Sequence, residues 1–178
     1  MNIYVLRPNE KYGTGSVDIS LCLMRRLSEI EPGTEIRWRN RIFNLAPGGT
    51  PTDLIFVPEI ECVFSPALKE CLEPFLLNEP VKWYKLRINY ENKVYPYYFL
   101  SFYEKLKGLV CKEQSTIYNG FYFYTYFYPS KIALHDVFYN PARNHYQYIV
   151  TDKVVSEIKK RKFTGICIDK NCVFLAKE

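Results

Sequence analysis

Residues Tyr148 to Ile168 carry the strictest local grammar in the chain. They run as a short apolar segment (Tyr148-Ile149-Val150), a hydroxyl (Thr151), an amphipathic stretch (Asp152 to Lys162), then Phe163-Thr164-Gly165 and a second apolar segment, Ile166-Cys167-Ile168. That order predicts strand, helix, strand. Thr151 is placed to accept a hydrogen bond from a first-turn amide, and Asp152 to face the positive end of the helix dipole. Val154, Val155 and Ile158 form one apolar stripe at helical spacing. Lys159, Lys160, Arg161 and Lys162 crowd the carboxyl end, where cations are favoured. Gly165 is the predicted stop, able to take the left-handed conformation that ends a helix.

The same grammar occurs earlier. Cys62-Val63-Phe64 is an apolar run, Ser65 a cap and Pro66 a first-turn proline, and Leu68 and Leu72 carry a stripe as far as Pro74. Laid over each other, Val63-Phe64-Ser65 meets Ile149-Val150-Thr151, and Leu68 and Leu72 meet Val154 and Ile158. Two weakly similar strand-cap-helix units are expected, although such punctuation is common and two copies alone establish no repeat.

Three stretches carry a resemblance: DLIFVPEIECVFSPALKECLEPF from Asp53, VKWYKLRINYENKVYPYYFLSF from Val81, and YIVTDKVVSEIKKRKFTGICI from Tyr148. Together they resemble a family of bacterial immunity proteins from polymorphic-toxin systems, immunity protein family eleven. The family pattern is an Asp-Leu pair opening a strand, a strand ending in Ser before a helix, and a late Thr-Gly between helix and strand. The resemblance spans roughly Ile36 to Cys167 and consists of packing patterns. Two features depart from it: the central linker is rich in tyrosine, and Asp152 stands one residue before the usual acidic position. The resemblance implies a cytoplasmic protein that binds one cognate toxin and blocks it without chemistry, by steric occlusion or conformational locking.

With 178 residues the chain is long enough for one domain with a substantial core. It divides into an amino-terminal half, about 1–105, and a carboxyl-terminal half, about 106–178. Aromatic residues reach 17%, with 16 Tyr and 12 Phe against 2 Trp, which favours strands and hydroxyl-rimmed surfaces. The net charge of +5 permits an acidic partner without requiring one. Cys22, Cys62, Cys71, Cys111, Cys167 and Cys172 form no Cys-x-x-Cys pair, and only two histidines could join them, so neither metal nor cofactor is expected. The start, Met1-Asn2-Ile3-Tyr4, lacks a signal-peptide pattern, and no stretch approaches a membrane span. Reduced, buried thiols in the cytoplasm are the expectation.

In chain order, Ile3 to Leu6 reads as an opening strand. Gly13-Thr14-Gly15-Ser16 lacks the Gly-Lys-Ser/Thr ending of a phosphate-cradling loop. Val17 to Ile30 fits a helix better than a strand. Over Glu35 to Phe43 the alternation puts Arg37, Arg39 and Arg41 on one strand face, with Ile36, Trp38 and Ile42 broadly on the other. Such a basic stripe can contact phosphates, or be an ordinary solvated face. Pro47-Gly48-Gly49 marks a loop, and Asp53 to Val57 a buried strand. Val81 to Tyr90, the turn Glu91-Asn92-Lys93 and Val94 to Phe102 read as a hairpin, with Pro96 marking an edge or bulge.

The segment from Ile117 to Tyr128 has the most unusual composition. As one strand it puts Phe121, Phe123, Thr125 and Phe127 on a core-facing side, and Tyr122, Tyr124, Tyr126 and Tyr128 on the other. Tyrosines in such a row can meet a partner, since each gives large contact area for little lost side-chain entropy, or lie under a covering layer. Ser130 to Tyr139 fits strand or short helix, Pro141 to Gln147 a polar turn, and Cys172 to Leu175 a final strand.

No local pattern brings His135 or His145 to a thiol, and no nucleophile elbow, paired-histidine helix or dinucleotide fingerprint occurs. His135 and Asp136, if extended, point to opposite faces. The expectation is therefore a non-enzymatic α+β protein, mostly antiparallel sheet with a few short helices. Its partner-binding residues would be Tyr122, Tyr124, Tyr126 and Tyr128, joined by Arg37, Arg39 and Arg41. The alternative is a nucleic-acid-binding module using the arginine strand and exposed aromatics. Self-association is left open.

Overall fold

Alternating apolar and polar residues write much of the described chain as strand. The computed structural model describes residues 1–9, 17–18, 42–58, 61–103, 106–143 and 147–177. The strands are β1 (Ile3–Pro8), β2 (Val17–Asp18), β3 (Ile42–Leu45), β4 (Leu54–Val57), β5 (Glu61–Phe64), β6 (Val81–Tyr90) and β7 (Lys93–Phe102). They continue with β8 (Thr116–Tyr118), β9 (Phe121–Phe127), β10 (Val137–Tyr139), β11 (Tyr148–Thr151), β12 (Ile166–Asp169) and β13 (Val173–Leu175). The helices are α1 (Pro66–Leu72), α2 (Pro129–Ile132) and α3 (Asp152–Arg161). The fold is α+β and dominated by sheet. Among the described residues no helix is long and apolar enough to cross a membrane.

Among the described residues three sheets form, in the orders β2-β3-β6-β7-β5-β4, β10-β11-β1-β12 and β13-β9-β8. All pairings are antiparallel except β3 with β6 and β13 with β9, which are parallel. The long hairpin pairs β6 with β7 from Val81↔Phe102 to Tyr90↔Lys93. Glu91 and Asn92 turn it with φ of 48° and 61°, the left-handed pair that matches strand twist. Pro96 falls beyond the β5 pairing at Tyr98, the edge position that a residue without an N–H requires.

The four-stranded sheet separates two cores, because successive side chains point to opposite faces. Leu6, Val137, Tyr139, Tyr148 and Val150 join the larger core, with Leu54, Phe64, Leu68, Phe99 and Val154. Ile3, Val5, Phe138 and Ile149 join the smaller one, with Leu109, Phe127, Ile132 and Val173. Tyr148 is central to the first: its ring meets Phe64 edge-on at 5.1 Å, and its hydroxyl donates to the Leu100 carbonyl at 2.6 Å. The larger core thus draws on both halves of the chain, and β1 lies between β11 and β12.

Both strand-helix units are present, but only the first has a side-chain cap. Ser65 Oγ accepts from the Leu68 amide at 3.1 Å and donates to Asp53 Oδ1 at 2.8 Å. Thr151 does not cap its helix, contrary to expectation. Its hydroxyl donates to Asp136 Oδ1 at 2.7 Å, drawn away by a carboxylate, which is a stronger acceptor than a neutral group. Asp152 in the first turn accepts from the Asn2 amide at 2.6 Å and the Tyr4 hydroxyl at 2.8 Å, which hold its carboxyl below the usual range. The helix stop also differs. Lys162, not Gly165, takes the left-handed position after α3, with φ 56° and ψ 41°. Gly165, at φ 70°, makes a second left-handed step into β12.

Other expectations met a mixed outcome. Ile42 is exposed and Phe43 buried, the reverse of the face assigned to Ile42. In register, Phe43 sits beside the fully buried Ile88 of β6, so that pairing fixes which side faces the core. Ser130 to Tyr139 contains both the helix α2 and the strand β10. The helix expected over 17–30 lies outside the described residues apart from Val17–Asp18, which pair with β3. Gly13 to Ser16 and Cys22 also lie outside them.

Candidate functional site

The segment expected as one aromatic strand is a hairpin. Asn119 and Gly120, at φ 48° and 79°, turn β8 into β9, so that Tyr118 faces Phe121 and Ile117 faces Tyr122. Asn-Gly between alternating residues is the strongest short-range hairpin signal in a sequence, and here it was masked by the Tyr/Phe alternation around it.

The base of the hairpin is held from several sides. Thr125 and Phe127 are fully buried. The Thr125 hydroxyl accepts from Asn140 Nδ2 at 3.2 Å, and its amide donates to the Cys172 carbonyl at 3.0 Å. Ser115 Oγ accepts from the Tyr126 amide at 3.0 Å, while Phe127 packs edge-on against Phe138 at 5.5 Å in the smaller core. These contacts fix the strand at its carboxyl end.

The tip is less covered among the described residues. Tyr118, Phe121 and Phe123 share one face and are 67%, 62% and 58% exposed. Ile117 and Tyr124, on the opposite face, are 48% and 45% exposed. Phe121 and Phe123 were expected in the core with Phe127. They occupy the expected face, but the layer covering it stops at Thr125, so alternation alone misplaced them. No charged residue occurs between Glu113 and Lys131. An exposed aromatic cluster without charge is unusual for a solvated surface and typical of the centre of a protein interface.

Tyr122, Tyr124 and Tyr126 lie on one face of β9 with unequal access, and Tyr128 follows the strand at the start of α2. Tyr124 is exposed, whereas Tyr122, Tyr126 and Tyr128 are half-buried. Tyr126 stacks on Phe174 of β13 at 5.1 Å, and Tyr124 meets the same ring edge-on at 5.8 Å. Tyr128 is tied down: its hydroxyl donates to Glu113 Oε2 at 3.1 Å, and hydrogen bonds with Cys111 and Glu113 push its pKa up to about 12. Tyr118, Phe121, Phe123 and Ile117 therefore belong with Tyr124 in the candidate site, and none was singled out from sequence. Arg37, Arg39 and Arg41 lie outside the described residues, as does His145.

Residues from the stretches beginning at Asp53 and Tyr148 meet elsewhere. Asp53, before β4, accepts from Ser65 Oγ at 2.8 Å, the Thr164 amide at 2.8 Å and the Thr164 hydroxyl at 2.9 Å. One carboxylate thus ties the cap of α1 to the turn after α3. Its donors satisfy it, which makes this a structural knot between the two units.

Among the described residues, groups with catalytic potential are dispersed. His135 Nδ1 lies 2.7 Å from Glu79 Oε1, whose hydrogen bond raises the imidazole pKa. Asp136 instead accepts from Thr151 and, at 3.2 Å, from Lys153 Nζ. Cys62, Cys71 and Cys111 are buried, and burial pushes the Cys71 thiol up. Among the described residues no three His, Cys, Asp or Glu side chains gather as a metal site. An open pocket beside the Pro47-Gly48-Gly49 loop is lined by Asn44, Asn89, Tyr90 and Glu91, without a thiol or imidazole. Set against protein-family models and against curated proteins, the chain finds no match.

Proposed function

We propose that this chain is a protein-binding module that neutralises a cognate bacterial toxin in the cytoplasm, with the β8–β9 hairpin as its contact element. The observation carrying this reading is the cluster Ile117, Tyr118, Phe121, Phe123 and Tyr124, exposed on a hairpin whose base is buried. A pre-shaped aromatic element loses little entropy on binding, so more of its contact energy appears as affinity. One aromatic anchor in a dry pocket is worth on the order of 2 kcal/mol or more, about 30-fold in Kd. The toxin, as the class of partner, rests on the immunity-family resemblance of the Asp53, Val81 and Tyr148 stretches.

Co-expression tests the proposal. The chain should relieve the growth arrest caused by the toxin encoded beside it and should co-purify with that toxin. Failure of both would overturn the reading. Arg37, Arg39 and Arg41, the basis of the nucleic-acid alternative, lie outside the described residues.

A further inference from the structure

A strand normally shows an apolar face to a core and a polar face to water. The β8–β9 tip does neither. Tyr118, Phe121 and Phe123 are exposed on one face and Ile117 and Tyr124 on the other, while the turn Asn119-Gly120 between them is exposed as well. Exposure on both faces leaves the tip largely uncovered ahead of Thr125, the first fully buried residue of β9, with Tyr124 still meeting the Phe174 ring of β13 edge-on at 5.8 Å. Both walls of the projection are apolar, and the whole of it is without charge.

The free edge completes the pattern. β8 is the last strand of its sheet among the described residues, and Thr116, Ile117 and Tyr118 are all exposed. Proteins usually guard an exposed edge with lysine, proline or an inward-pointing charge. β8 has none of these, and its guard is its length of three residues. The edge of the four-stranded sheet at β12, by contrast, carries Asp169 in an ion pair with Arg7 at 2.6 Å. Only a body that takes in both faces would cover all the apolar surface of the tip.

We infer that the hairpin inserts, turn first, into a two-walled apolar cleft of the partner protein, and does not lie flat against it. This rests on the protein-binding reading above and specifies the occupant: a protein with a cleft lined by aliphatic or aromatic side chains and poor in charge. A second copy of the chain is the weaker occupant. Strand-to-strand pairing along β8 would join three residues a side, against the roughly 20 a side of a stable interface. Packing one face on a second copy would leave the opposite aromatics in water.

The test uses the full chain, the toxin encoded beside it and two paired variants, one for each wall. Phe121→Ser with Phe123→Ser alters one wall, and Ile117→Ser with Tyr124→Ser the other. Insertion predicts that each pair weakens the complex by at least 10-fold in titration calorimetry, with thermal unfolding confirming the fold. Loss confined to one wall would overturn insertion and leave the protein-binding reading standing. Unchanged affinity in both variants would remove the hairpin from the interface and so overturn insertion too. Absence of binding by the wild-type chain would overturn the underlying reading itself. Sedimentation of the wild-type chain alone should give a monomer; a dimer abolished by the Phe121/Phe123 pair would assign the surface to a second copy, against the inference.

Discussion

A Cβ placed on Gly165 would clash with the Thr52 side chain and stand 3.0 Å from the Leu54 carbonyl oxygen, in a backbone already at φ 70°. Neither fault can relax without moving β4. Gly165→Ala should therefore cost about 2 kcal/mol or more, read as a lower urea midpoint at unchanged slope. Lys162 is the opposite case. It holds a left-handed φ of 56° without being glycine, so Lys162→Gly should stabilise the chain by roughly 0.5–1 kcal/mol. The sequence shows that a glycine is needed after α3, but the contact with Thr52 across 113 positions is a tertiary fact that no local pattern carries. His135 adds a pH-dependent contribution. Its folded pKa is raised by Glu79, so the pair stabilises fully below the unfolded value of about 6.5 and fades as pH rises through the folded value. The Tm deficit of His135→Gln against wild type should be larger at about pH 6 than at about pH 8.5. An equal deficit at both would show that the pair contributes only packing.

At the scale of elements, hydroxyl position and hydroxyl use are separate things. Both Ser65 and Thr151 mark a helix start, and both helices begin where the residues place them. Only Ser65 caps. Ser65→Ala removes a bond to the Leu68 amide and one to Asp53, and should cost about 1–2 kcal/mol. Thr151→Ser keeps the donor to Asp136 and should cost less; an equal loss would mean that the threonine methyl is what matters. Strand pairs joined by short turns were legible for the same local reason. Glu91-Asn92 follows one alternating run and precedes another, so β6 and β7 could be placed without tertiary knowledge. The β8–β9 hairpin offered an equally local signal in Asn119-Gly120, but unbroken aromatic alternation around it reads as one continuous strand. The parallel neighbours β3–β6 and β13–β9 had no local signal at all, since their registers join segments far apart in the chain.

Across the whole molecule, the four-stranded sheet sets what can be altered without unfolding it. Its inner strands bury one set of side chains in the larger core and the alternate set in the smaller one, and the smaller core is where β9 is rooted. Phe127 and Phe138 lie in that root; Phe121 and Phe123 lie on the same strand face as Phe127 but past the end of cover. Alternation identifies the face, and only the extent of the neighbouring layer decides where core becomes surface. Three residues of β9 lie between Phe123 and Phe127, so this strand provides its own control. Phe127→Ala empties a filled site and should cost about 3–5 kcal/mol, lowering Tm by well over 5 °C. Phe123→Ser removes a ring already in water, should hold Tm within about 2 °C, and should still weaken partner binding. If Phe123→Ser instead unfolds the chain as Phe127→Ala does, the tip is part of the core, and a surface built to meet another protein is the wrong account of it.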